Sequence, residues 1–292
     1  MFLLRKRKKW DWVQVVSAIF LTLLAVVIAV PFWNTLVVSF QTAGSYAKHP
    51  FSLWPSAVTL ENYSFLFSKG NLLLKAYEGT IVTTVFGTLF GMLFSIMAAY
   101  AFSRKFPGKK LFFRLMVFTM FFSGGLVPTY LLFKNMELQN TYTGIVLISL
   151  ISVYNIIIMK NGYESVPIDL QEAAMMDGAN DMLIFWKIML PLQKPLIATC
   201  SLFTIVGYWN NWYWPMLLLN GGDKTVLQLF LRAMVTNLVQ EKLESSIFWE
   251  RMSFTQGIQM AAVFMVMAPV MIVYPFLQKY FTKGMLVGAV KM

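Results

Sequence analysis

The sequence predicts an all-α integral membrane protein with six transmembrane helices, and three observations carry that prediction. The 292 residues are 58% hydrophobic and only 13% charged, with a mean hydropathy of +0.63, whereas soluble domains carry about 25% charged residues. Six windows contain no Asp, Glu, Lys or Arg, and each is long enough to cross a hydrocarbon core of about 30 Å. Basic residues also concentrate between alternate windows, as in membrane proteins with a fixed orientation.

The predicted spans form a single membrane domain covering residues 1–292. They lie at about 13–40, 79–103, 115–133, 138–159, 195–222 and 252–278. The first window is far longer than the apolar core of a signal peptide, which has about 7–15 residues, so we expect it to be retained. In the third window, Gly124, Gly125 and Pro128 predict a kink or a break in the helix.

The second window has small residues at four-residue steps. Gly87, Gly91, Ser95 and Ala99 would share one face of a helix. In lipid, such a face lets two helix backbones approach closely. Glycine is common in membrane helices, so chance spacing is an alternative of equal weight.

The distribution of basic residues predicts the topology. Of the 24 Lys and Arg residues, 16 lie at the termini or in the connections that follow the second and fourth windows. The side with the excess of Lys and Arg faces the cytoplasm, so both termini and the loop at 160–194 are predicted to be cytoplasmic. We therefore assign the net charge of +11 to orientation in a membrane and not to nucleic-acid binding.

The residue inventory argues against a catalytic or metal centre. The chain has one cysteine, Cys200, and one histidine, His49, which excludes a disulfide framework, a Cys-based zinc site and a multi-histidine centre. It contains no GxxxxGK[ST] motif and therefore has no phosphate-binding loop of its own. We expect no catalytic residue, no metal and no bound cofactor in this chain.

The loop at 160–194 is polar and predicts two short helices with a break between them. Pro167 suits a first helical turn, and Asp169 adds negative charge near the positive end of the helix dipole. Gly178 is the expected stop, because glycine enters the left-handed region without a steric cost. A second helix is predicted over residues 181–189, with Pro191 just beyond its end.

The spacing within this loop resembles the "EAA" loop of permease subunits of type I ABC importers. Its fixed positions are Glu172-Ala173-Ala174, Gly178 after three residues, Ile188 after nine more, and Leu190-Pro191. Beyond about residue 110 the chain is also similar to maltose-importer-type carbohydrate permeases, in particular the LplC-type oligosaccharide permease branch. The segments that carry this wider resemblance are 159–163, 177–181, 207–212, 227–229, 274–281 and 288–291.

The resemblance implies a type I ABC importer permease fold in which the loop is a cytoplasmic coupling helix. That helix would dock onto a separate ATPase subunit, which uses the ATP and Mg, while this chain binds neither. The positions implied in coupling are Asp169, Glu172, Ala173, Ala174, Asp177, Gly178, Leu190 and Pro191. Implied partners are a homologous second permease, two ATPase subunits, an extracytoplasmic solute-binding protein and the lipid bilayer. The implied function is ATP-driven import of a sugar or oligosaccharide, with no nucleic acid involved.

Aromatic and amide side chains near the outer end of the fifth window form a second candidate site. Aromatic rings stack on sugar rings, and amides pair with hydroxyl groups. Trp209, Asn210 and Asn211 are therefore candidates for lining the substrate path, together with Tyr154 and Asn155 in the fourth window. The alternative for the aromatic residues is a belt at the outer membrane interface.

Two other functions stay open from the sequence. The same architecture imports other solutes, such as amino acids or anions, in related systems. An ion-coupled secondary carrier is the alternative from a different class. Carriers usually place ionisable groups inside their spans, and the six windows contain none.

Overall fold

The computed structural model describes residues 12–68, 72–219, 223–236 and 256–272. Every regular element among them is helical, apart from one isolated bridge between Gln41 and Val58, in agreement with the predicted all-α class. The chain divides into two compact units, whose described parts are 12–68 with 256–265, and 72–219 with 223–236 and 266–272. The basic cluster at 5–9, the edges of the sixth predicted span and the C-terminal tail lie outside the described residues.

The first unit contains α1 (Trp12–Ser39), α2 (Ala43–Lys48) and α3 (Glu61–Ser68). With 28 residues, α1 is about 42 Å long at about 1.5 Å per residue. Large apolar side chains are exposed along most of its length, and burial begins only near its end, at Val37 and Val38. A helix that is apolar on all sides needs lipid or protein around it.

The end of α1 is fastened to α3 by hydrogen bonds. Asn62 is buried, and its amide donates to the backbone oxygens of Ser39 at 2.9 Å and Gln41 at 3.1 Å. The hydroxyls of Ser39 and Tyr63 lie 2.7 Å apart. These bonds fix the turn by which the chain leaves the long helix.

The second unit is built around one long helix, α4 (Leu72–Ser103). The elements that follow it are α5 (Lys109–Phe121), α6 (Leu126–Asn135), α7 (Tyr142–Ile148), α8 (Val153–Glu164), α9 (Ile168–Met176), α10 (Asp181–Ile184), a π-helical turn (Phe185–Met189), α11 (Leu190–Leu192), α12 (Lys194–Trp209), α13 (Tyr213–Leu218), α14 (Leu227–Thr236) and, straddling the two units, α15 (Gln256–Ile272). Helices α7, α8, α12 and α14 pack against α4, which makes α4 the centre of this unit.

The small residues of α4 form a packing face, which decides between the two alternatives raised by their spacing. Gly87, Gly91, Ser95 and Ala99 are all buried. A Cβ atom on Gly91 would lie 2.7 Å from the backbone oxygen of Leu150. That distance is well below van der Waals contact, so the absence of a side chain at Gly91 lets α4 pack closely against the segment between α7 and α8.

By length and composition, α1 and α4 can each cross a membrane, and three bent helix pairs can each supply one further span. Helices α5 and α6 meet at 108° next to Gly124 and Gly125, so the predicted break is confirmed. Helices α7 and α8 meet at 52°, where the Ser152 hydroxyl caps α8 by accepting from the N–H of Asn155 at 3.3 Å. This interruption of an uncharged window was not predicted. The count of six spans stays a prediction.

Candidate coupling elbow and substrate cleft

The segment at 168–192, here called the elbow, consists of two short arms. The first arm, α9, begins at Ile168, with Pro167 at the cap position and not in the first turn. Asp169 lies in the first turn, as predicted. Asp169 is exposed, and its negative charge near the positive end of the helix dipole stabilises the start of the first arm.

The first arm ends in a Schellman motif at the predicted glycine. Gly178 has a φ of +84°. The N–H of Ala179 donates to the oxygen of Ala174 at 2.9 Å, and the N–H of Gly178 donates to that of Met175 at 3.0 Å, which are the two bonds of this motif. The prediction that Gly178 ends the helix is confirmed. A Cβ atom there would meet nothing within 4 Å, so the backbone angle alone requires glycine.

The second arm begins at Asp181, where the Asn180 side chain accepts from the N–H of Leu183 at 2.8 Å. The prediction that Pro191 lies beyond the end of this helix is wrong, because the helix continues through Pro191 to Leu192. The π-helical turn before it gives the physical reason. The N–H of Leu190 donates to the oxygen five residues earlier, and this wider turn moves the carbonyl with which a proline ring would collide.

The inner side of the elbow, meaning the side that faces the hydrophobic core, packs against other helices of the second unit. Ile184, Phe185 and Met189 are buried in one cluster with residues of α4, α8 and α12. Ala174 and Leu190 pack against the same cluster. The elbow is therefore continuous with the hydrophobic core beneath it.

The outer side of the elbow, meaning the side that faces away from the hydrophobic core, is exposed and apolar. Acidic side chains lie among its apolar residues. Met176 is 88% exposed, and the other large exposed apolar side chains are Ile168, Leu170, Met175, Met182, Leu183, Trp186 and Leu192. Asp169, Glu172 and Asp177 are exposed, and they form no ion pair within the part of the chain that the structure describes. Ala173 and Pro191 lie on the exposed side as well.

Arg104 contacts the elbow, and the sequence interpretation counted it only as a topology signal. Its guanidinium donates to Gln171 on the first arm and to Asp181 on the second. The hydroxyl of Tyr100 donates to the backbone oxygen of Asp181 at 3.3 Å. Gln171 is buried, 6% exposed. No sequence signal marks this contact, because the burial of Gln171 appears only in the structure.

Glu164, at the end of α8, lies between two lysines. Lys160 approaches one carboxylate oxygen at 2.6 Å, and Lys109 approaches the other at 3.2 Å. Partial burial raises the pKa of Glu164, but the hydrogen bonds and charges of the two lysines outweigh burial and hold it below its ordinary value. This pairing joins the start of α5 to the helix that leads into the elbow.

A cleft of about 560 Å³ lies elsewhere in the second unit, between α8 and α12. Its lining residues are Ser149, Ser152, Tyr154, Asn155, Phe203, Thr204, Gly207, Tyr208, Asn211 and Trp214. None of these is an acid, a lysine, an arginine or a histidine. The surface presents hydroxyl and amide groups between aromatic faces, which suits a neutral ligand rich in hydroxyl groups.

Three of the five predicted path residues come together in this cleft: Tyr154, Asn155 and Asn211. The other two do not line it. Asn210 accepts from the amide of Gln228 at 3.1 Å, and the indole nitrogen of Trp209 is buried with no hydrogen-bond partner among the described residues. The two adjacent asparagines therefore have different surroundings.

The polar wall of the cleft is held by a chain of hydrogen bonds. The amide nitrogen of Asn155 donates to the Thr204 hydroxyl at 3.0 Å, and that hydroxyl donates to the backbone oxygen of Cys200 at 3.0 Å. The Tyr208 hydroxyl donates to the oxygen of Val146 at 2.8 Å. Sequence reasoning missed Thr204 and Ser152, because a hydroxyl residue in an apolar window gives no distinctive signal.

Within the described residues, no group of three or more His, Cys, Asp or Glu side chains is placed to hold a metal ion. The carboxylates, lysines and arginine near the elbow belong to ion pairs or are exposed. The described residues thus form an exposed apolar surface with acidic groups on the elbow and an uncharged cleft between α8 and α12.

Comparison with known proteins identifies the family of this chain. Residues 91–287 match the family model of the binding-protein-dependent transport system inner membrane component. Protein LplC of Bacillus subtilis (strain 168) is 36% identical, over 95% of this chain and 94% of its own length. The polygalacturonan/rhamnogalacturonan transport system permease protein YtcP of the same organism is 38% identical, over 93% of this chain and 96% of its own length.

A solved structure extends the similarity to the fold. A chain in the crystal structure of a bacterial ABC transporter involved in the import of the acidic polysaccharide alginate superposes with a TM-score of 0.84 and 30% identity. The match covers 96% of this chain and 99% of that chain. This chain therefore belongs to the family of binding-protein-dependent transport system inner membrane components and has the type I ABC importer permease fold.

Proposed function

We propose that this chain is a non-catalytic transmembrane subunit of an ATP-driven importer for a sugar or oligosaccharide. It forms half of the translocation path with a homologous second permease and couples closure of an ATPase dimer to alternating access. Relatives named for transport of polygalacturonan and rhamnogalacturonan, of arabinooligosaccharides, and of alginate support a carbohydrate cargo. ATP and Mg belong to two separate ATPase subunits, and an extracytoplasmic solute-binding protein delivers the cargo.

The observation that carries this proposal is the two-sided elbow. Its inner side is buried in the core beneath α4, α8 and α12, whereas its outer side exposes apolar residues and three acids. An exposed apolar patch marks contact with protein or lipid, and the three exposed acids among its residues favour protein, because charged groups avoid lipid. A groove with basic residues at its rim complements Glu172 and Asp177, because charge-assisted hydrogen bonds are stronger than neutral ones.

The proposed orientation places the elbow and both termini in the cytoplasm. The excess of Lys and Arg in the sequence supports that side for residues 160–194. The cleft would then belong to the substrate path, with Tyr154, Asn155 and Asn211 contacting hydroxyl groups of the cargo. Import of an amino acid or an anion is the second candidate, and the uncharged lining of the cleft favours a neutral unit at this point.

The test is uptake by the complete importer in proteoliposomes. The chain is reconstituted with its second permease, the ATPase and the solute-binding protein, and labelled arabino-oligosaccharides and oligogalacturonates are the probes. We expect uptake only with internal ATP and the binding protein. Glu172→Lys should weaken attachment of the ATPase, whereas Glu61→Lys, which reverses an exposed acid outside the elbow, should not. Uptake driven by a proton or sodium gradient without ATPase would overturn the proposal.

A further inference from the structure

Arg104 follows directly after the last residue of α4 and contacts both arms of the elbow. Its Nη1 donates to Oε1 of Gln171 on α9, and its Nη2 donates to Oδ1 of Asp181, the first residue of α10. These partners are 67 and 77 positions away in the sequence. One side chain of the central helix therefore joins two arms that are separated from each other by a turn.

Tyr100 reinforces this junction from one helical turn earlier on α4. Its hydroxyl donates to the backbone oxygen of Asp181 at 3.3 Å. Its ring lies 4.8 Å from the ring of Phe185 on the second arm and 5.7 Å from the ring of Tyr163 on α8. The guanidinium of Arg104 is 5.7 Å from the centre of the Tyr100 ring.

The chemistry of this junction favours arginine. A guanidinium is a planar fork with donors that point in fixed, separate directions, whereas a lysine ammonium is a single compact charge. The fork is pre-organised to bond an amide and a carboxylate on two different helices at once, and it loses less side-chain freedom in doing so. The Arg104 side chain is 22% exposed and Gln171 is buried, whereas the Asp181 side chain is 71% exposed, so the bond to Gln171 is the enclosed half of the junction.

Of the turn residues 177–180, Ala179 packs against the core cluster and the other three are exposed, so the turn itself does little to fix the angle between the arms. Gly178 has no side chain, and a Cβ atom there would meet nothing within 4 Å. The Schellman bonds hold the end of α9, and the Asn180 cap holds the start of α10. Each cap acts within its own arm, so the angle depends on contacts of the arms with the rest of the unit, namely the core packing of Ala174 and Phe185 and the bonds of Arg104.

The geometry points to Arg104 as a positioning residue that sets the angle between the two arms and joins the elbow to α4. A displacement of the elbow then either breaks both bonds of Arg104 or carries the end of α4 with it. This inference rests on the proposed function, because it supplies the link by which a movement at the docking face reaches the central helix of the path.

The test compares Arg104→Met with Lys105→Met in the complete importer. Lys105 is the next residue in the chain and is exposed, and the structure gives it no ion pair among the described residues. Each variant thus removes one positive charge at neighbouring positions. Only Arg104→Met also removes the bonds to Gln171 and Asp181, which are here called the clamp. Spin labels at positions 170 and 187, in a Cys200→Ala background, report the distance between the arms by pulsed electron resonance.

We expect Arg104→Met to broaden the distribution of distances between the arms, while Lys105→Met leaves it as in the wild type. The amount of ATP hydrolysed per sugar imported should rise about tenfold in Arg104→Met, the factor that corresponds to the loss of one charge-assisted hydrogen bond. Arg104→Lys should give values between those of Arg104→Met and the wild type, because an ammonium keeps the charge but lacks the planar fork that fits both acceptors.

An unchanged distance distribution in Arg104→Met would overturn the clamp, whatever happens to transport. If the wild-type importer shows no ATP-dependent uptake, the proposed function fails, but the distances still test the clamp. If Arg104→Met does not assemble, Gln171→Met replaces it, since this change removes one acceptor and keeps a side chain of similar length. A narrow distribution in that variant would equally overturn the inference.

Discussion

The ring of Tyr208 on α12 fills the space that a side chain at Gly87 on α4 would occupy. A Cβ atom at position 87 would lie 2.3 Å from Cζ of Tyr208. The same tyrosine donates its hydroxyl to the oxygen of Val146 on α7 at 2.8 Å. The absence of a side chain on one helix thus allows a large residue on another to connect three helices beside the cleft.

Gly87→Ala should destabilise the protein by about 1–3 kcal/mol, because an added carbon in a filled interior forces its neighbours to move. The loss is measured as the change in unfolding midpoint in detergent. Gly44→Ala is the control, since a Cβ atom there meets nothing within 4 Å. In a Tyr208→Ala background the cost should shrink, because the clashing ring is gone. Equal costs in both backgrounds would contradict this packing account.

Gly178→Ala should strain the elbow by about 1–2 kcal/mol, because a left-handed backbone is unfavourable for any residue with a Cβ atom. Gly124→Ala is a matched control: both sites have open space, but only Gly178 has a positive φ. Hydrogen exchange of the elbow amides should rise in the first variant only, and ATP-dependent uptake should fall with it. Equal protection of the elbow in both variants would mean that the angle at Gly178 is not needed.

Features set by neighbouring residues could be predicted from the sequence, and features set by distant contacts could not. The stop at Gly178 and the small-residue face of α4 follow from local backbone rules, and both are present. The contact of Arg104 with Gln171 joins residues 67 positions apart, and no periodicity indicates which distant residue a side chain will meet.

The candidate path residues illustrate the same limit. Asn210 and Asn211 are adjacent residues of the same type, so residue type alone cannot predict which of them lines the cleft. Helix α12 ends at Trp209, so the direction of each following side chain depends on how the chain turns there. Only the packing of α12 against α8 places Asn211 in the cleft and leaves Asn210 bonded to Gln228.

The stabilisation from Glu164 should depend on pH in a defined direction. Its folded-state pKa is below the ordinary value of 4.5, because bonds from Lys160 and Lys109 outweigh partial burial. A lowered pKa stabilises the fold above the unfolded-state pKa, and that contribution is lost as the pH falls through the folded-state value. The side chain is 38% exposed, so screening limits the effect to about 1 kcal/mol at most.

The measurement compares the unfolding midpoints of the wild type and Glu164→Gln. At pH 7 the variant should be less stable, and the difference should close as the pH falls below 4.5. Glu61→Gln, an exposed acid for which the structure gives no ion pair among the described residues, serves as the control. A difference that grows towards low pH would have the wrong sign for this account.

The predicted topology can be tested at Met176, which is 88% exposed on the elbow. Met176→Cys in a Cys200→Ala background should react with a membrane-impermeant maleimide only when the cytoplasmic face is open to the reagent. Inverted vesicles should therefore be labelled, and intact cells should not. The opposite pattern would place the elbow outside the cell and would contradict both the charge distribution and the proposed coupling.

Asn155 is buried, 4% exposed, at the wall of the cleft. Asn155→Leu keeps the approximate size of the side chain but removes the amide that donates to Thr204 at 3.0 Å. The stability cost should be only about 1 kcal/mol, because the Thr204 hydroxyl still donates to Cys200. If the cleft contacts the cargo, the fall in uptake should exceed the fall expected from this loss of stability. The reason is that hydroxyl groups of the sugar lose a hydrogen-bond partner.

Asn210→Leu is the matched control, because it makes the same exchange at an amide outside the cleft that is exposed and bonded to Gln228. Initial rates of ATP-dependent uptake are measured for both variants over a range of sugar concentrations, together with their unfolding midpoints. A larger loss of uptake in Asn155→Leu at similar stability places the cargo in this cleft. Equal uptake in the two variants would mean that the path runs elsewhere, because then an amide in the cleft is worth no more to the cargo than one outside it.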